Sequence, residues 1–245
     1  MAVAALATAI MGISKGGLAG LGILAVPVMV LVMPPVQAAG IMLPILIASD
    51  VVSVGTWWKS WDMRTVRLMI PGAVAGTILG WATAEFVSDD AIRFIVGAIA
   101  LAFALRWLLQ GRAGRARIAP HNRMKAGFWG TVAGYTSFIA HAGGPPYQVY
   151  TMPLGMDPRL YTGTSVLFFA VINLIKVPPY YLLGQFGAGN LLASAALMPV
   201  AVVFTFVGAW LIRRMRTEVF YPITYALVGL VGAKLVWDSI SSTFG

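Results

Sequence analysis

Long apolar runs with almost no charge constrain this chain more than any other feature. Val36 to Trp58 carries Asp50 as its sole charged residue, and Tyr161 to Phe186 carries only Lys176. Val66 to Phe86, Ile92 to Leu109, Leu191 to Ile212 and Val219 to Ile240 are comparable runs. A helix needs roughly 20 apolar residues to cross the hydrocarbon core, so each is a membrane span. The two-residue alternation of an outer-membrane barrel is absent. Only 10% of the residues are charged, against about 25% in a soluble domain. The expected class is an all-α, polytopic integral membrane protein.

Two stretches break this pattern. Ile13-Ser14-Lys15-Gly16-Gly17-Leu18-Ala19-Gly20 interrupts the first apolar segment, Ala2 to Ile13, before a second short one, Leu21 to Met33. Ser137-Phe-Ile-Ala-His141-Ala-Gly143-Gly144-Pro145-Pro146 follows the segment Lys125 to Ala140 and precedes the short segment Tyr147 to Met156. Glycine leaves the backbone uncovered and proline removes a donor, so a helix cannot run through either stretch unchanged.

The two stretches head two similar halves. Gly16-Gly17 matches Gly143-Gly144, Pro35 and Gly40 match Pro158 and Gly163, Asp50 matches Asn173, and Pro71 with Gly80 matches Pro199 with Gly208, at offsets of 123 to 128 residues. The boundary falls at Gln110 to Lys125, a polar linker with five Arg or Lys residues. We therefore divide the chain into a first repeat, 1–110, a basic linker, 111–124, and a second repeat, 125–245.

Charge gives the orientation. The linker is cytoplasmic by the positive-inside rule, as are the loop with Lys59, Arg64 and Arg67 and the loop with Arg213, Arg214 and Arg216. The loop with Glu85, Asp89 and Asp90 is then outside. Lys59 to Arg67 follows the third segment of its half, whereas Arg213 to Arg216 follows the fourth. Corresponding segments thus run in opposite directions, which gives an inverted repeat of about ten crossing or half-crossing segments with both termini outside. Inverted repeats with broken helices at matching positions mark secondary transporters, whose substrates bind near the midplane where the breaks meet. The alternative is that the glycines only let helices pack closely; glycine-rich faces also allow, without requiring, a homodimer.

The net charge of +9 is explained by these loops and does not call for nucleic acid. The absence of cysteine excludes disulfides, thiolate metal sites and thiol catalysis. Two histidines and scattered carboxylates make no metal site, and no cofactor is implied. Residues 1–11 lack a basic n-region and read as a first membrane helix, not a cleaved signal.

These motifs, with Pro27, Tyr161-Thr-Gly-Thr-Ser165 and Phe168-Phe-Ala-Val-Ile-Asn173-Leu-Ile-Lys176-Val-Pro-Pro-Tyr180, resemble the TauE/SafE family of sulfite and organosulfonate exporters, also called the toluene sulfonate uptake permease family. The resemblance spans nearly the whole chain. Many members carry a Gly-x-Gly-Gly-Gly run at the first break, where this chain has Ser14-Lys15 ahead of Gly16-Gly17. It implies a bacterial inner-membrane carrier for a small sulfur-containing anion such as sulfite, a sulfonate or sulfoacetate, acting outward and coupled to protons. A passive anion channel or uniporter, or an importer of a related anion, is the alternative; an enzyme is not expected.

Each ionisable group at membrane depth needs a reason, because it costs roughly 2.5–3.5 kcal/mol on insertion scales. Lys15 pairs with a substrate oxyanion, or else snorkels to an interface or pairs with Asp50. Ser14, with Gly16 and Gly17, and likewise Gly143 and Gly144, would frame an anion with free backbone N–H groups at helix N-termini. His141 binds the anion or titrates with it; Asp50 is the other proton-carrier candidate, or a structural salt bridge. Asn173 and Lys176 share a helix face as substrate-binding candidates, Lys176 as a second cation, with Pro178-Pro179 beyond them at the membrane surface; Thr164 and Ser165 offer hydroxyls to the substrate or cross-link helices. Lys234 and Asp238 read as an interfacial ion pair, and Trp57, Trp58, Trp61, Tyr180 and Tyr181 as interfacial belts. Ser137 near His141 suggests a hydrolase, but no nucleophile elbow is present.

Overall fold

The computed structural model describes residues 1–18, 21–84, 86–110 and 118–244. Ala19-Gly20 of the first break, Glu85 of the acidic loop and linker residues 111–117 lie outside the described residues, as do the side chains of Pro27, Pro35, Asp89 and Asp90. Among the described residues ten α-helices follow in order: α1 Ala2–Gly16, α2 Ala25–Val30, α3 Pro35–Thr56, α4 Met63–Thr83, α5 Asp89–Leu109, α6 Arg123–Ala140, α7 Gly144–Thr151, α8 Pro158–Leu182, α9 Ala188–Arg214 and α10 Thr217–Phe244. Six of them, α3, α4, α5, α8, α9 and α10, are long and apolar enough to cross a membrane. The short elements recur at the same place in each half, α2 in the first and α7 in the second.

Local chemistry sets several helix starts. Ser88 accepts a hydrogen bond from Ala91 N (3.3 Å) at the start of α5, and Asn122 accepts from Lys125 N (2.9 Å) at the start of α6. Both satisfy a first-turn donor that has no partner within the helix. The prolines of the second break do not all end a helix. Pro145 and Pro146 begin α7, where a missing N–H costs nothing. Pro178 and Pro179 lie inside α8, which continues to Leu182, so they do not end that helix.

Two compact units result, residues 1–62 with 158–215 and residues 63–157 with 216–245. The first holds α1, α2, α3, α8 and α9; the second holds α4 to α7 and α10. Each therefore draws helices from both repeats. In the first unit α1 runs parallel to α9, with Gly12 against Ala201 and Gly16 against Thr205 and Gly208. In the second unit α6 runs parallel to α4 in the same manner, with Gly127 against Gly72, Thr131 against Gly76 and Tyr135 against Gly80. The first helix of each repeat thus packs on the fourth helix of the other.

Third and fifth helices pack on their own counterparts, and both pairs are antiparallel. Along α3 and α8, Gly40 lies against Gln185, Asp50 against Asn173 and Ser60 against Gly163. Along α5 and α10, Gly97 lies against Gly232, Ala104 against Gly229, and Trp107 stacks on Tyr225 at 4.5 Å. Equivalent helices that meet head to tail are what an inverted repeat requires. In the first unit Arg213 Nη2 donates to Thr56 O (2.8 Å), so the C-terminal ends of α3 and α9 lie together.

The glycines at these crossings are occupied inside the units. A Cβ on Gly76 would collide with the Thr131 carbonyl, whereas a Cβ on Gly127 meets nothing within 4 Å. Gly76→Ala is expected to lower stability by about 1–3 kcal/mol through overpacking. Gly127→Ala on the facing helix is expected to be neutral or stabilising, by up to about 1 kcal/mol of helix propensity. Thermal unfolding in detergent compares the two directly.

Candidate functional site

In the first unit, α3 presents Asp50, Ser53 and Trp57 at spacings that share one helix face. This face receives the C-terminal end of α1. Ser53 Oγ donates to Lys15 O (2.9 Å) and Trp57 Nε1 to Gly16 O (3.1 Å), so two of the terminal carbonyls of α1 are satisfied from α3. Trp57 is consequently buried and does not join an interfacial belt, and Tyr180 is buried too. Trp58 is exposed and packs edge-on against Trp61 at 5.4 Å, and Tyr181 is exposed.

The first break has the opposite polarity to the one expected. Ser14, Lys15 and Gly16 belong to the last turn of α1, and the chain leaves the helix at Gly17, with φ 149°. The Gly17 N–H donates to Ser14 O (3.0 Å). Among the described residues of this break, Ser14, Lys15 and Gly16 lie at the carbonyl end of a helix, which carries partial negative charge and favours the Lys15 cation. Gly16 serves close packing on α9, and Ser14 is buried against Gly22.

Lys15 reaches Asp50 across the α1–α3 contact, with Nζ 2.6 Å from Oδ1. The other carboxylate oxygen, Oδ2, accepts from Asn173 Nδ2 at 2.6 Å. Asp50 and Asn173 are the matched residues of the two repeats, and they meet where α3 and α8 cross. Lys176, fully buried one turn further along α8, interacts electrostatically with both Lys15 and Asp50. The ring of Phe169 lies 5.7 Å from Lys15 Nζ and offers a cation–π contact. The result is a buried group of two lysines, one carboxylate and one amide inside a membrane-spanning unit.

The hydroxyls around it differ. Thr164 donates to Leu160 O (2.6 Å) and accepts from Asp62 N (2.8 Å), so it ties α8 to the end of the α3–α4 loop. Ser165 is buried on the same helix. Thr162 Oγ1 and Ser49 Oγ, which the sequence did not single out, are buried without a hydrogen-bond partner, Thr162 beside Gly17 and Ser49 next to Asp50.

In the second unit, α6 ends at Ala140 and His141 takes the left-handed conformation, φ 50°. Ala142 N donates to Thr136 O (3.1 Å), closing the helix end. Gly143 and Gly144 are buried and open α7. This break opens a helix, so the positive end of a helix dipole sits at it, and Pro145 and Pro146 leave few N–H groups to donate. One turn into α7 is Gln148, fully buried, with neither its Nε2 nor its Oε1 hydrogen-bonded. Sequence reasoning passed over it; its only signal was an amide within a short apolar segment beside a break.

A non-glycine residue in the left-handed region carries about 1 kcal/mol or more of strain. His141→Gly is expected to relieve that strain and hold or raise the unfolding temperature, whereas His141→Ala keeps it. Loss of transport shared by both variants would isolate the imidazole as the functional group.

A Lys15–Asp50–Asn173 group inside a bundle with six helices long and apolar enough to cross a membrane fits a polytopic membrane transporter. A family model described as "Sulfite exporter TauE/SafE" matches residues 4–235. The chain belongs to that family, which is one of membrane transporters and not of enzymes. No curated protein and no solved structure matches the chain.

Proposed function

We propose that the protein exports a small sulfur-containing oxyanion across the bacterial inner membrane by alternating access, with the basic linker cytoplasmic and both termini periplasmic. The observation that supports this most is the Lys15–Asp50–Asn173 group with Lys176 beside it. Two ammonium groups against one carboxylate leave one formal positive charge, and protonation of that carboxylate leaves two, which a doubly charged oxyanion neutralises. In this reading Lys15 exchanges partners, from the Asp50 carboxylate in the empty carrier to the substrate oxyanion in the loaded one. Asp50, relinquished by Lys15, takes up a proton. Proton and anion then bind together, since opposite charges in one site favour each other. Cytoplasmic accumulation of the anion drives it outward. In the second unit, His141, Gly143, Gly144 and Gln148 are the candidate groups at the second break.

Flux of radiolabelled sulfite and sulfoacetate in proteoliposomes tests the proposal. Wild-type flux is expected to saturate and to follow an imposed pH gradient in the direction of proton flow, and Lys15→Ala is expected to lose at least tenfold. Flux indifferent to the gradient would point to a channel or uniporter. Undiminished flux in Lys15→Ala would remove Lys15 from the site.

A further inference from the structure

The paired starts of α4 and α6 hold a second basic feature, which transport does not use. These helices run parallel, so their N-terminal ends lie side by side in the second unit. A cavity of about 310 Å³ sits there, lined by Arg64, Arg67, Leu68, His121 and Arg123. Its volume is at the lower end of the range for ligand pockets, about 300–1,000 Å³. Three of the five lining residues carry guanidinium groups, whose planar forks match phosphate oxygens, and no lining residue is a carboxylate. Two helix N-termini add partial positive charge to the same end.

Position narrows the source of the phosphate. Arg64 and Arg67 occupy the first turns of a helix long and apolar enough to cross a membrane, and the end of such a helix is where headgroups are met. Leu68 supplies one apolar wall. On α6, next to Arg123, Met124 and Phe128 are one turn apart and strongly exposed, an outward apolar face suited to acyl chains. A basic cavity that continues into an apolar face fits a lipid better than a solute, and basic pockets between membrane helices on the cytoplasmic side suit anionic headgroups.

We propose that this cavity binds an anionic phosphate group, held as the headgroup of a phospholipid. The test uses the full chain, delipidated in detergent and titrated in native mass spectrometry with phosphatidylglycerol, with phosphatidylcholine and, in a parallel arm, with inorganic phosphate. Phosphatidylglycerol is expected to bind in preference to phosphatidylcholine. Arg67→Gln and Arg123→Gln, both at exposed positions, are each expected to weaken it about fivefold, with unfolding temperatures unchanged. Either single variant suffices if the other fails to fold. Inorganic phosphate that displaces the lipid, and binds less well to the same variants, would keep the site and assign it to a soluble phosphate. Equal binding of the two lipids, or a wild-type preference retained in both variants, would overturn the proposal.

Discussion

Lys15→Met is expected to destabilise the protein by about 3–5 kcal/mol, the usual consequence of removing one partner from a buried ion pair. Asp50 would keep Asn173 as a donor but lose the ammonium 2.6 Å from its other oxygen. The double variant Lys15→Met with Asp50→Asn should recover most of that loss. A thioether packs where the ammonium was, and the two amides at positions 50 and 173 satisfy each other. Replacing a buried pair by neutral groups of similar volume is often neutral or stabilising. Transport separates the two meanings of the pair. If it is only a structural salt bridge, the double variant restores flux along with the unfolding temperature. If Lys15 exchanges Asp50 for the substrate, the double variant is stable and inactive. Unfolding in detergent and flux in proteoliposomes, measured on wild type and both variants, decide between them.

That this pair can be tested at all follows from what the sequence made legible. Hydropathy placed all six long spans, because a run such as Leu191 to Ile212 admits no other solvent than lipid or protein. The repeat offset put Asp50 opposite Asn173, and the antiparallel α3–α8 crossing brings them into contact. Lys234 and Asp238 pair at 2.6 Å, as their spacing of one helical turn requires. What could not be read was polarity at the first break. Gly16-Gly17 and Gly143-Gly144 look alike as letters, yet one closes a helix and the other opens one. The difference lies in the neighbours: Pro145 and Pro146 favour a helix start, whereas Ser53 and Trp57, some 40 residues away in the chain, cap the end of α1. Trp57 was misplaced for the same reason, since its indole N–H is drawn inward by a carbonyl that only the tertiary fold supplies.

Gln148→Leu is expected to make the protein more stable and less able to transport. Both polar atoms of the amide are buried without hydrogen bonds, a state that costs about 1–3 kcal/mol in proteins. Leucine of similar length removes the cost, so unfolding should shift upward by that amount. A fold under selection for stability alone would not keep such a residue, whereas sites built for a ligand often hold a polar group that only the ligand satisfies. The amide can donate to an oxyanion through Nε2 and accept through Oε1 from a ligand that itself carries a proton. Gln148→Glu provides the second arm. It keeps the size, but a carboxylate beside the helix start at Gly144 would compete with an incoming anion or repel it. Flux reduced at least tenfold in both variants, with Gln148→Leu the more stable protein, would establish Gln148 as a substrate ligand. Wild-type flux in Gln148→Leu would mean that the amide is an unsatisfied core residue, and the second break would then rest on His141, Gly143 and Gly144.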